Sequence, residues 1–129
     1  MNNITLDIKS LLLNASKALK ENKLIEGKKI LEQIQSINSN IFEVNFNLAT
    51  LNLQSGNLDA AIIFFEKAKK IKPKSTQVYF NLGLAYDRKK EKRLAIQNFK
   101  KVIELEPNNA MAYCNLGTVY KDILNTSRA

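Results

Sequence analysis

The 129-residue sequence has no histidine and no tryptophan, one cysteine, two prolines and four glycines, and arginine occurs only at Arg88, Arg93 and Arg128. Each scarcity excludes something. Without histidine the chain lacks the commonest general base near neutral pH and the commonest transition-metal ligand. The lone Cys114 can neither close an internal disulfide nor supply a thiolate cluster for zinc, and it is read as a small apolar residue destined for the interior. Near the N-terminus the longest apolar run, Leu11 to Leu13, is too short for a signal-peptide core or a membrane span, and no basic segment precedes it. The matches to a glycosylation sequon at Asn14 and Asn125 are therefore taken as chance. Too few breakers are present to interrupt long helices, so short turns between helices are expected. No glycine-rich phosphate loop follows a strand, and no strand is evident.

What remains is a chain 45% hydrophobic and 25% charged, enough of each for a packed core with a solvated surface. The length fits one domain. The formal net charge of +8 comes mainly from lysine. It is concentrated in Lys67, Lys69, Lys70, Lys72 and Lys74, and again in Arg88, Lys89, Lys90, Lys92 and Arg93. Such runs read first as solvated faces and as favourable charges at helix C-termini. With arginine scarce and no aromatic residues interleaved as stacking platforms, nucleic acid is disfavoured as a partner. Glu104 and Glu106 beside Lys100 and Lys101 read as solvated ion pairs rather than as an acid–base couple.

The dominant signal is internal repetition. Leu82 and Leu116, Gly83 and Gly117, Tyr79 and Tyr113, and Tyr86 and Tyr120 are each 34 residues apart. The same shift relates Ala61 to Ala95, Phe65 to Phe99 and Pro73 to Pro107. Asn47, Asn81 and Asn115 make two such steps, as do Leu48, Leu82 and Leu116. Ala15, Ala49, Gly83 and Gly117 share one small-residue slot, and Gly27, Ala61 and Ala95 share another. Small residues facing each other let two helices approach closely, with Phe65 and Phe99 filling the space beside them. Pro73 and Pro107 stop helices, Ser75 and Asn109 are expected to cap the next ones, and Ser55-Gly56-Asn57 turns one helix into its partner. Seven helices are predicted, near 5–20, 24–37, 41–54, 58–71, 75–89, 92–105 and 109–123.

A 34-residue period with Tyr79-x2-Leu82-Gly83-x2-Tyr86, then Ala95-x3-Phe99, then Pro107, resembles the tetratricopeptide repeat, with Tyr79 in place of its tryptophan. Residues 42–75 match less closely, because Asn45 and Asn52 stand where aromatics are expected. Residues 8–41 form a degenerate first unit, 76–109 a third, and 110–129 only the first helix of a fourth. The resemblance implies an all-α, right-handed superhelical solenoid of about three and a half antiparallel hairpins in one domain.

In this family the first helix of each hairpin lines a concave groove. That places Glu43, Phe46, Asn47, Thr50 and Leu53 there, followed by Gln77, Phe80, Asn81, Leu84, Asp87 and Arg88. Met111, Cys114, Asn115, Thr118, Lys121 and Asp122 continue the row. An amide both donates and accepts, so Asn47, Asn81 and Asn115 could grip a peptide main chain irrespective of its side chains. With hairpins about 10 Å apart and an extended peptide rising about 3.3 Å per residue, one Asn would meet every third residue. This looks like the asparagine ladder in the repeat domain of O-linked N-acetylglucosamine transferase. Family members that bind chaperone tails share a clamp of Lys, Asn and Arg. Here its basic places hold Leu12, Phe46, Phe80 and Gln77, so that mode is not expected.

The resulting expectation is a cytoplasmic protein–protein interaction scaffold that binds a peptide through Asn47, Asn81, Asn115, Phe46, Thr50, Phe80, Leu84, Arg88 and Thr118. No catalytic site, cofactor, metal or membrane partner is expected. One alternative is the N-terminal repeat domain of a larger enzyme such as a glycosyltransferase or sulfotransferase; another is a basic RNA-associated scaffold. On the last helix, Leu116, Tyr120, Ile123 and Leu124 keep the internal apolar pattern without a partner helix in sequence. Self-association into a homo-oligomer through that end is therefore expected.

Overall fold

The structure, a computed structural model, describes residues 2–128, with side chains from residue 7 to residue 126. Among the described residues there are seven helices and no strand: α1 (Asn2–Lys20), α2 (Leu24–Ile37), α3 (Phe42–Gln54), α4 (Leu58–Ile71), α5 (Thr76–Arg88), α6 (Lys92–Leu105) and α7 (Ala110–Arg128). Most boundaries fall within a residue or so of the sequence expectation. Helix α7 runs five residues further, because nothing between Leu124 and Arg128 breaks it.

Each second helix of a hairpin buries one stripe, at positions i, i+4 and i+7. In α2 these are Gly27, Leu31 and Ile34, in α4 Ala61, Phe65 and Ala68, and in α6 Ala95, Phe99 and Val102. This spacing keeps side chains on one helical face, and the three sets are related by the 34-residue shift. Phe65 and Phe99 are fully enclosed, so truncating either to alanine should cost about 3–5 kcal/mol. The first helices answer with Leu48 and Ala49 in α3 and with Leu82 and Gly83 in α5, all buried. Substantial contacts join consecutive helices, and α3 also touches α5, which sets the first helices side by side along the inner face.

The three turns within hairpins share one geometry. Asn22, Gly56 and Lys90, again 34 apart, have φ of 61°, 86° and 67°. The following N–H reaches back five residues in each: Lys23 to Ala18 at 2.8 Å, Asn57 to Asn52 at 2.8 Å, and Glu91 to Tyr86 at 2.8 Å. These are Schellman closures, in which a left-handed residue turns the chain and satisfies carbonyls of the last turn. At the turns between hairpins, Asn109 caps α7 by accepting the Ala112 N–H at 2.9 Å. Ser75 precedes α5 but makes no side-chain cap, so that expectation is corrected. The orphan donors at the start of α5 are instead partly served by the Ser75 carbonyl, which accepts from Val78 at 3.2 Å.

Of the two asparagines that stand where aromatics are expected, Asn45 makes the bond of its aromatic counterparts and Asn52 does not. The Tyr79 and Tyr113 hydroxyls donate to the carbonyls of Pro73 (2.7 Å) and Pro107 (3.1 Å), six residues upstream. Asn45, fully buried in the same slot, donates through Nδ2 to the Ser39 carbonyl at 3.0 Å, also six residues upstream. Asn52 occupies the slot of Tyr86 and donates to its own helix at the Leu48 carbonyl. Cys114 corrects the sequence reading, because it is exposed. Its counterparts Phe46 and Phe80 are covered edge-on by Phe65 and Phe99, centroids 5.8 and 5.7 Å away, whereas among the described residues no second helix packs on that side of α7.

Candidate functional site

The inner face carries two cavities. The first, about 430 Å³, lies where α3, α5 and α7 converge and is lined by Phe46, Thr76, Gln77, Phe80, Asn81, Glu106, Asn109 and Met111. The second, about 520 Å³, lies between α1 and α3 and includes Leu12, Ser16, Lys20, Glu43 and Asn47. The structure thus brings Phe46, Phe80 and Asn81 together in one cavity and sets Asn47 in its neighbour. Asn47 and Asn81 are half-buried, and their amides have no hydrogen-bond partner among the described residues.

The other residues singled out in sequence are placed differently. Asn115 spends one N–H on its own helix, donating to the Met111 carbonyl at 2.8 Å. Thr50 and Thr118 likewise turn their hydroxyls back to the carbonyls of Phe46 (2.9 Å) and Cys114 (3.1 Å). Arg88 reaches across to the Leu53 carbonyl at 3.4 Å, tying α5 to the end of α3, and Leu53 itself is buried. Leu84 packs against the core around Phe99 and Val119. Asp87 is bound to Lys92 at 2.6 Å, and the same ammonium lies 3.5 Å from Asp122. The bond to Asp87 raises the Lys92 pKa, and burial opposes it.

The sequence reading of Glu106 as a solvated ion pair is corrected, because its partners among the described residues are neutral. Lys101 pairs with Glu104 at 3.2 Å, but Glu106 turns into the first cavity. One carboxylate oxygen accepts the Thr76 hydroxyl, and the other accepts Asn109 Nδ2 at 3.2 Å. The Thr76 bond first, then that of Asn109, holds its pKa below the ordinary glutamate value. The available signal was positional: Glu106 sits just before Pro107, in the turn that lies alongside the start of α5.

On α7, Leu116 and Ile123 are half-buried against the core that holds Phe99 and Val119. Tyr113, Tyr120 and Leu124 are 51%, 41% and 57% exposed, and a Cβ at Gly117 would meet nothing within 4 Å. Of the lysine cluster, Lys72 lies over the Phe42 ring at 4.4 Å and Lys67 over Phe64 at 5.5 Å. No helix among the described residues is long and apolar enough to cross a membrane.

Models of the tetratricopeptide repeat match residues 42–75, 76–109 and 98–129, together well over half of the sequence. The chain belongs to the tetratricopeptide repeat family. Among solved structures, the array is similar to the first TPR of Spaghetti (RPAP3) bound to the HSP90 peptide SRMEEVD. That likeness has a TM-score of 0.83 and 19% identity, over 92% of this chain and 94% of that one. The second TPR domain of human RPAP3, in complex with the HSP70 peptide SGPTIEEVD, gives a TM-score of 0.80 at 18% identity, over 91% of this chain and 98% of that one. A Thermobaculum terrenum O-GlcNAc transferase mutant gives 0.76 at 21% identity, covering 90% of this chain but 22% of that one. At these identities the likeness is one of fold. No curated protein sequence matches the tetratricopeptide array.

Proposed function

We propose that this tetratricopeptide array is a protein–protein interaction scaffold that receives an extended peptide along its inner face, with Asn81 and Asn47 holding the peptide main chain. The observation that carries the reading is Asn81: its amide lies in a cavity floored by Phe46, Phe80 and Met111 and has no protein partner among the described residues. The amide is open to solvent, so a peptide N–H and C=O can together take the place of its water. Two rungs, Asn47 and Asn81, are open for this, while Asn115 has one N–H committed to its own helix. The solved structures of like fold that hold peptides support peptide binding. Their EEVD chemistry is not carried over, because the basic places of the clamp are filled by Leu12, Phe46, Phe80 and Gln77.

The test is affinity for peptides selected on an array. Asn81→Ala should weaken binding about fivefold with unchanged helicity, since a hydrogen bond is worth about 1 kcal/mol. Unchanged affinity in the triple Asn47, Asn81 and Asn115 to Ala variant would overturn the reading. As the repeat region of a larger enzyme, the array would present partners through the same groove, and the same test applies. The open slot at Gly117, flanked by Tyr113, Tyr120 and Leu124, supports a second role for α7 as a surface for self-association.

A further inference from the structure

We propose that the cavity between α3, α5 and α7 selects a peptide carrying a cationic side chain, Lys or Arg, set against Glu106 beside an apolar residue on Phe46, Phe80 and Met111. This rests on the groove being the peptide site. Glu106 is the one charged residue lining that cavity. Among the described residues no cation pairs with it: its partners are the Thr76 hydroxyl and the Asn109 amide, and Lys101, the nearby candidate, is paired with Glu104. Those two donors fix the carboxylate in place and favour its ionised form. Each oxygen accepts one bond and keeps a second lone pair for an incoming N–H, an arrangement a guanidinium can meet with two parallel bonds. The aliphatic stem of Lys or Arg would lie along Phe80 and Met111 while its head reaches the carboxylate.

The lysine clusters lie outside this cavity, and the net charge of +8 opposes a cationic peptide at long range, so only the local contact with Glu106 can favour it. The preference is a contact effect and should appear in the dissociation rate rather than in the association rate.

The probe is a library of fluorescein-labelled, acetylated and amidated nonapeptides. The central residue is fixed as Arg, Lys, citrulline, norleucine or Glu and flanked by Leu and Phe, and binding is read by anisotropy. Arg peptides should bind about threefold to fivefold tighter than citrulline peptides, the range of an exposed ion pair, with Glu peptides weakest. Glu106→Gln should bring the Arg-to-citrulline ratio to about one at unchanged helicity, while Asn81→Ala weakens every peptide alike. Peptides that depend on Asn81 but keep the same Arg preference in Glu106→Gln would overturn this proposal and leave the groove reading standing. Binding that ignores both Asn81→Ala and Phe80→Ala would overturn the two together.

Discussion

Gly83 and Gly117 hold the same place in successive hairpins and live in opposite surroundings. A Cβ on Gly83 would sit 2.6 Å from Cε1 of Phe99, inside contact distance of a ring that is itself fully enclosed. A Cβ on Gly117 would meet nothing within 4 Å. The same substitution should therefore have opposite signs. Gly83→Ala is expected to destabilise by about 1–3 kcal/mol through overpacking. Gly117→Ala should stabilise by up to about 1 kcal/mol, because alanine is the better helix former where nothing obstructs it. Paired thermal melts decide the matter, and equal shifts of one sign would refute the assigned packing. The sequence showed that both glycines fill a small slot, but not that only one slot has an occupant. Asn45 carries a related lesson. It reads as a departure from the aromatic pattern, yet it makes the bond that Tyr79 and Tyr113 make, because the slot requires a donor aimed at the turn rather than a ring.

Among the elements, the turns of α1–α2, α3–α4 and α5–α6 are one device built with three residue types. Only Gly56 enters the left-handed region without steric cost; Asn22 tolerates it, and Lys90 does not favour it. Lys90→Gly should stabilise the array by about 1 kcal/mol, seen as a rise in melting temperature, with far-UV dichroism unchanged. The bridge from α5 to α4 through Tyr86 and Glu66, 3.2 Å long, gives a pH signature. Burial first, then the Glu66 charge, pushes the Tyr86 phenol from 10.0 up to about 12. A folded pKa above the unfolded one means the stabilisation is complete below pH 10 and is lost as pH rises through about 12. The difference between the tyrosinate titrations of wild type and Tyr86→Phe should show a midpoint near 12, and a midpoint near 10 would contradict the bridge. Helix boundaries were legible because apolar spacing and prolines mark them. The Glu106 contact was not, because it joins a turn to a helix 30 residues away and no local pattern records it.

For the whole molecule, the proposed self-association rests on the exposed face of α7. Tyr113, Gly117, Tyr120 and Leu124 form an exposed stripe at spacings of four, three and four, while Leu116 and Ile123 are partly sheltered by the core. Pairing of such stripes about a two-fold axis would bury the tyrosines in each other's open slots. Sedimentation across a concentration series should show reversible association that Tyr120→Glu abolishes. A strict monomer at millimolar concentration would exclude it. One further property follows from the way consecutive helices hold one another with few contacts across the array. Tension between the two ends meets no broad sheet of bonds to be sheared at once. Load would lift helices from an end in turn, each 34-residue unit releasing at most about 115 Å of extended chain, so the protein would yield under force as a graded extensible spring.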